Sequence, residues 1–153
     1  MSAGYTIDTE GAEALAAATA ETILNWVNAA NGKIMLVEFE ISFDGVDATA
    51  VPVLVELCSS TQATAGTSSA AAIKQIRGAT RTVQATGRHS YTAEPTTLTV
   101  LKSYFVRADG GLFVKQYPLG REPEQGVTLD GLLLRCTAPA VVNVRASMEV
   151  EEG

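Results

Sequence analysis

IMLVEFEISFDGVDATAVPVLVEL, residues 34–57, holds two apolar runs of strand length on either side of a turn-rich loop. In the first run Met35, Val37, Phe39, Ile41 and Phe43 share one face, while Glu38, Glu40, Ser42 and Asp44 share the other. That period of two belongs to a strand packed on one side only; a helix would carry Glu38 and Glu40 into its apolar stripe. Asp44-Gly45 breaks the run, and Pro52 opens a second one in which Val53, Val55 and Leu57 face one way. The two runs read as a hairpin, and an all-β fold follows from them.

On the N-terminal side, residues 1–20 are rich in alanine (Ala12, Ala14, Ala16, Ala17, Ala18, Ala20) and read as an arm. It is able to form a short helix but carries little large apolar surface with which to dock. Residues 22–28, with Ile23, Leu24, Trp26 and Val27, read as a strand, and Asn31-Gly32 as the turn that follows it. Trp26 reads as a core or interface anchor.

On the C-terminal side, the small-residue stretch 59–72 has no apolar periodicity and reads as a long loop. Residues 73–84 carry Lys74, Arg77 and Arg81 and suit either a short helix or an extended loop. Glu94-Pro95 marks a turn after the run that contains His89. Residues 98–106 and 112–117, joined by Asp109-Gly110-Gly111, read as a hairpin. Pro118, Gly120 and Pro123 make a loop, residues 132–137 read as a further strand, and alternation returns in 142–151. About eight strands and no confident long helix outside the arm point to an antiparallel two-sheet β-sandwich of jelly-roll type over residues 21–153.

The 153 residues suit a single domain with a real core. Aromatic residues are only 6%, so that core is built mostly from aliphatic side chains. Charged residues are 18%, against roughly 25% in soluble domains, which suits a surface partly covered by partners. A net charge of -6 argues against nucleic acid as a partner. No stretch approaches the roughly 18 to 20 apolar residues that would span a membrane, and no secretory signal is evident, so synthesis in the cytoplasm is expected. Cys58 and Cys136 are too few for a disulfide framework and read as buried free thiols.

Chemistry is sparse. With one histidine and two cysteines, no metal site is expected. His89 reads as a satisfied or exposed loop histidine, since no Gly-x-Ser-x-Gly turn presents a serine to it. Glu38 and Glu40, two apart on one strand face, read as solvated rather than as an acid/base pair. Gly110-Gly111 lies in a turn between strands, not in a phosphate-cradling loop. No catalytic, metal-binding or cofactor-binding residue is expected, and the chain is not expected to be an enzyme.

Several segments taken together carry a resemblance: ISFDG at 41–45, TAVPVLVEL at 49–57, RHSYTAEPT at 88–96, YFVRADGGL at 104–112, PLGRE at 118–122 and LRCTAPAVVNVRA at 134–146. In this order they resemble the head decoration, or cement, proteins of tailed bacteriophages, over roughly residues 22–151. The resemblance implies a β-sandwich subunit that forms a homotrimer, binds the major capsid protein at local threefold positions and ends on the capsid exterior of the virion. Consecutive apolar residues, as in Leu132-Leu133-Leu134, place large side chains on both faces of a strand, and Leu54, Leu133 and Phe105 are the expected subunit contacts. Tyr5, Ile7 and Leu15 of the arm are the expected capsid contacts. The rival reading is a carbohydrate- or receptor-binding jelly-roll module of a phage particle, for which Tyr91 and Tyr117 are the available loop aromatics.

Overall fold

A computed structural model of the chain describes residues 3–44 and 51–153. Its strands are β1 (Ala3–Asp8), β2 (Glu13–Leu15), β3 (Ala20–Val27), β4 (Ile34–Phe43), β5 (Val53–Ser60), β6 (Thr67–Ala70), β7 (Lys74–Arg77), β8 (Thr86–Ala93), β9 (Leu98–Val106), β10 (Phe113–Gln116), β11 (Glu124–Gln125), β12 (Gly131–Thr137) and β13 (Val142–Glu152). One 3-10 turn, Gln62–Thr64, and no α-helix accompany them among the described residues. The strands form two antiparallel sheets. The first runs β10-β4-β13-β1-β7, with β11 added to β4 and β2 to β13; the second runs β6-β8-β3-β12-β5-β9. Their inner faces enclose one aliphatic core, crossed by a hydrogen bond from Trp26 Nε1 on β3 to the carbonyl of Met148 on β13, 3.1 Å long. The sandwich expected from the alternation is therefore the fold.

The details of β4 differ from simple alternation. Glu38 pairs with Glu149 and Leu36 with Val150, which leaves Val37 as an extra residue, a bulge. The bulge changes phase, so Ile34 and Leu36 point inward before it, Phe39 and Ile41 after it, and Met35 and Val37 are only half-buried. In β5 the alternation holds, with Val53, Val55 and Leu57 fully buried. The two strands are not a hairpin, because β4 belongs to the first sheet and β5 to the second. Residues 45–50 of the turn between them lie outside the described residues. The turn at 107–112 likewise carries the chain from β9 in one sheet to β10 in the other, where Tyr104 and Phe113 stack with ring centres 5.4 Å apart.

The arm expected at 1–20 is a correction. β1 pairs with β13 along its whole length and with β7 on its other side, burying Ala3, Tyr5 and Ile7. β2 pairs with β13 opposite Val142 and buries Leu15. A period of two at Ala3, Tyr5 and Ile7 was hidden by the alanines behind it; those at 16–18 are exposed and form no helix. The stretch 59–72 is not a long loop either, since β5 continues to Ser60 and β6 pairs with β8. Within 73–84, β7 extends the first sheet, held by Lys74 to Asp8 (3.9 Å) and Arg77 to Glu149 and Glu151 (3.3 and 2.7 Å). These edge strands are short, polar and half-exposed, and so lack an apolar signature.

Between β8 and β9 the chain forms a strap over the outer face of the second sheet. Asn25 Nδ2 donates to Tyr91 Oη (3.0 Å), and the amide of Thr22 donates to the Glu94 carboxylate (2.8 Å). The strap then returns to pair at Leu98 with Ser60, at the opposite end of β5. Crossing from the level of Thr22 to that of Ser60 takes it diagonally past the outward row of Asn25, Leu133 and Cys58, and its own Pro95 is buried.

Candidate interaction surface

Among the expected subunit contacts, Leu54 on β5 and Phe105 on β9 are cross-strand partners on the outer face of the second sheet, beyond the reach of the strap. Phe105 is 76% exposed and Leu54 is half-buried. Phe105 also lines a shallow cleft of about 240 Å³ with Leu112, itself 59% exposed. Leu133 is a correction. It does point outward, between the inward Leu132 and Leu134, but it is fully buried within its own chain. Tyr5, Ile7 and Leu15, expected to touch a capsid, are core residues for the same kind of reason: each sits on the inner face of a strand paired into the first sheet.

The side of the sandwich bounded by β9 and β10 is open. β9 ends its sheet, so one edge of its backbone has no strand beside it. Val100 and Leu101 stand exposed there, Leu101 as the extra residue of a bulge opposite Leu57 and Cys58. Between this edge and β10 lies a groove of about 450 Å³, lined by Leu101, Lys102 and Tyr104 from β9, Lys115 from β10, and Tyr117, Pro118, Arg121 and Pro123 from the segment that follows. Lys115 lies over the Tyr117 ring, 5.3 Å from its centre. The Tyr117 hydroxyl is buried without a hydrogen-bond partner, and burial first, then the neighbouring Tyr104 phenol, pushes its pKa well above the ordinary value.

His89 lies elsewhere, on β8. Its Nε2 is 3.1 Å from a Glu10 carboxylate oxygen, and its Nδ1 is 2.7 Å from Ser90 Oγ and 3.8 Å from Glu13 Oε1. The Glu10 carboxylate also accepts the amide of Ala72, and that of Glu13 accepts the amide and hydroxyl of Ser90. Burial raises the Glu13 pKa, opposed by the Ser90 bonds and by His89. The cluster fastens the β1–β2 turn to β8 and β6. Glu38 and Glu40 lie on the outer face of the first sheet, where Glu38 accepts a hydrogen bond from Gln116 Nε2 (2.7 Å). Tyr91 is bonded to Asn25 and lines a cleft of about 320 Å³ with Glu13, Glu21 and Ser90, so both loop aromatics border open clefts, Tyr117 the one beside β9.

Cys58 and Cys136 are free and buried on opposite faces of the second sheet, Cys136 in the core and Cys58 beneath the strap. Burial pushes the Cys58 thiol up to about 11 and raises Cys136 further. Among the described residues no group of three or more His, Cys, Asp or Glu side chains is placed to hold a metal ion.

The cations of the groove were not singled out in the sequence. Lys102, Lys115 and Arg121 are far apart in the chain and meet only because β9 and β10 edge different sheets. No family model matches the chain, and no curated protein is similar to it.

Proposed function

We propose that the protein is a structural attachment protein that decorates the outer surface of a tailed-phage capsid as a homotrimer, binding the major capsid protein. The observation that carries this reading is the open β9 side: Phe105, at 76% exposure, stands beside Leu54 on a side of the sandwich that also exposes Val100, Leu101 and Leu112, whereas the outward Leu133 is buried. An exposed aromatic paired with an aliphatic neighbour along a free strand edge is the kind of surface that a partner subunit covers.

The strand order supports a jelly roll. β1, β3, β4, β5, β9, β10, β12 and β13 fall into two four-stranded blocks, β10-β4-β13-β1 and β3-β12-β5-β9, and the first and last of these strands are neighbours. Jelly rolls recur in viral capsids and in lectins, so the fold suits both the decoration reading and its carbohydrate-binding rival. Lys115 already occupies a face of the Tyr117 ring, the surface on which a sugar would stack, and this favours decoration. Association with an assembled lattice stabilises that lattice by mass action, which is the physical meaning of decoration here.

The test has two parts. Light scattering coupled to size exclusion should give a trimer at micromolar concentration, and the protein should co-sediment with expanded phage heads. A monomer that ignores the shell but binds on a glycan array would replace this reading with the rival one.

A further inference from the structure

Five of the eleven Lys and Arg side chains are matched to carboxylates among the described residues: Lys33 to Glu124, Lys74 to Asp8, Arg77 to Glu149 and Glu151, Arg107 to Asp109 and Arg135 to Glu56. Lys102, Lys115 and Arg121 have no carboxylate within 4.0 Å among the described residues, and all three line the groove beside β9. Arg88 and Arg145 are also without such a partner, but the Arg88 guanidinium donates to the hydroxyl and carbonyl of Ser68, and the cleft that Arg145 lines contains Asp8, Glu10 and Glu40. The groove lining contains no acidic side chain at all. The nearest acids in sequence are occupied, Glu122 by the amide of Gly120 and Glu124 by Lys33. In a chain of net charge -6, three uncompensated cations around one groove form a local positive site.

The same groove adjoins unpaired backbone. β9 is nine residues long, and its outer edge offers N–H and C=O groups to an added strand. Lys102 and Tyr104, two apart on β9, both line the groove, so alternate side chains of a strand laid along β9 would fall on the groove side.

We propose that the groove takes an extended acidic segment of a partner protein, laid along β9 with its carboxylates against Lys102, Lys115 and Arg121. The segment supplies the missing charge and completes the edge of the sheet in one event. Nucleic acid is disfavoured by the net negative charge of the rest of the molecule. The inference names the chemistry of the partner in the attachment reading and rests on that reading, yet its test needs no shell. Failure here and failure of co-sedimentation are therefore separate results.

The experiment is fluorescence anisotropy with a labelled peptide of about nine residues, the length of β9, alternating Glu and Thr. The same peptide with Gln for Glu and an oligothymidylate of equal length serve as comparisons. Saturable binding of the Glu peptide is expected, weakened about tenfold or more in the Gln peptide and in the variant Lys102→Gln/Lys115→Gln/Arg121→Gln, and unchanged in Arg145→Gln. Amide exchange of the unmodified protein, followed by NMR, should slow along the outer edge of β9 when the Glu peptide is added, a readout that does not depend on how the variant folds. No saturable binding below about 1 mM, equal binding of the Gln peptide, tighter binding of the oligothymidylate, or unchanged β9 exchange would each overturn the proposal.

Discussion

Tyr117 and Glu152 show how opposite the consequences of burying a polar group are. The Tyr117 hydroxyl has no hydrogen-bond partner, and an unsatisfied buried hydroxyl costs about 1–3 kcal/mol. Tyr117→Phe should therefore raise the calorimetric midpoint by a few degrees, and a fall would show that the hydroxyl has a partner in solution. The Glu152 carboxylate, itself 4% exposed, accepts the amides of Gln84 at 3.0 Å and Ala85 at 2.6 Å. Glu152→Ala strands both donors and should lower the urea midpoint by the equivalent of about 2 kcal/mol. Neither role was legible in the sequence. Glu152 looked like one more polar residue past the end of an alternating strand, and its donors lie 67 and 68 positions away. Trp26 was legible as an anchor because a lone tryptophan in an apolar run has few other places to go.

At the scale of elements, the strands that face the core on one side announced themselves by period, which is why β4, β5, β9, β12 and β13 were readable. Their pairing was not. Asp109-Gly110-Gly111 permits a tight reversal but equally permits a step between stacked sheets, and only the aromatic contact of Tyr104 with Phe113 shows which occurred. Residues 1–20 were misread because alanine content outweighed the three alternating residues Ala3, Tyr5 and Ile7. Deleting residues 1–15 should consequently abolish cooperative thermal unfolding followed by circular dichroism, because β7 and one side of β13 lose their partner. Charge on the first sheet gives a second prediction. Glu40 is raised above its usual 4.5, first by its hydrogen bond with Glu38, and Glu149 is raised by burial against the pull of Arg77. A carboxyl raised on folding contributes stability below its ordinary value and loses it as pH climbs through the raised one. These two groups should thus depress the thermal midpoint between about pH 4.5 and neutrality, and Glu40→Gln should lessen that fall, read from melting curves across the range.

For the whole molecule, the two-sheet architecture was legible from strand count and composition, whereas the surface was not. Surplus apolar residues on one strand were read as a demand for a partner subunit. At Leu133 the demand is met within the same chain, where it is fully buried, and at Phe105 it is not. The consequences separate by substitution. Phe105→Glu should dissociate the proposed trimer in light scattering while leaving a folded protomer, because the new charge faces solvent in the single chain. Leu133→Glu should instead unfold the protomer, since it buries a carboxylate between Asn25 and Cys58, where the nearby Arg135 is already paired with Glu56. A trimer that survives Phe105→Glu would move the interface to another part of the surface.

The position of β12 and β13 bears on how the chain is made. Each is interior to its sheet, β13 between β4 and β1 and β12 between β3 and β5, and both follow every other strand in sequence. Until they leave the ribosome, a nascent chain holds only fragments, β10-β4 apart from β1-β7 and β6-β8-β3 apart from β5-β9, none with a neighbour across the gap. Closure of both sheets is thereby postponed until β12 and β13 have been made. A polypeptide stalled before Gly131 should be cleared by proteases, while each completed one closes both sheets together.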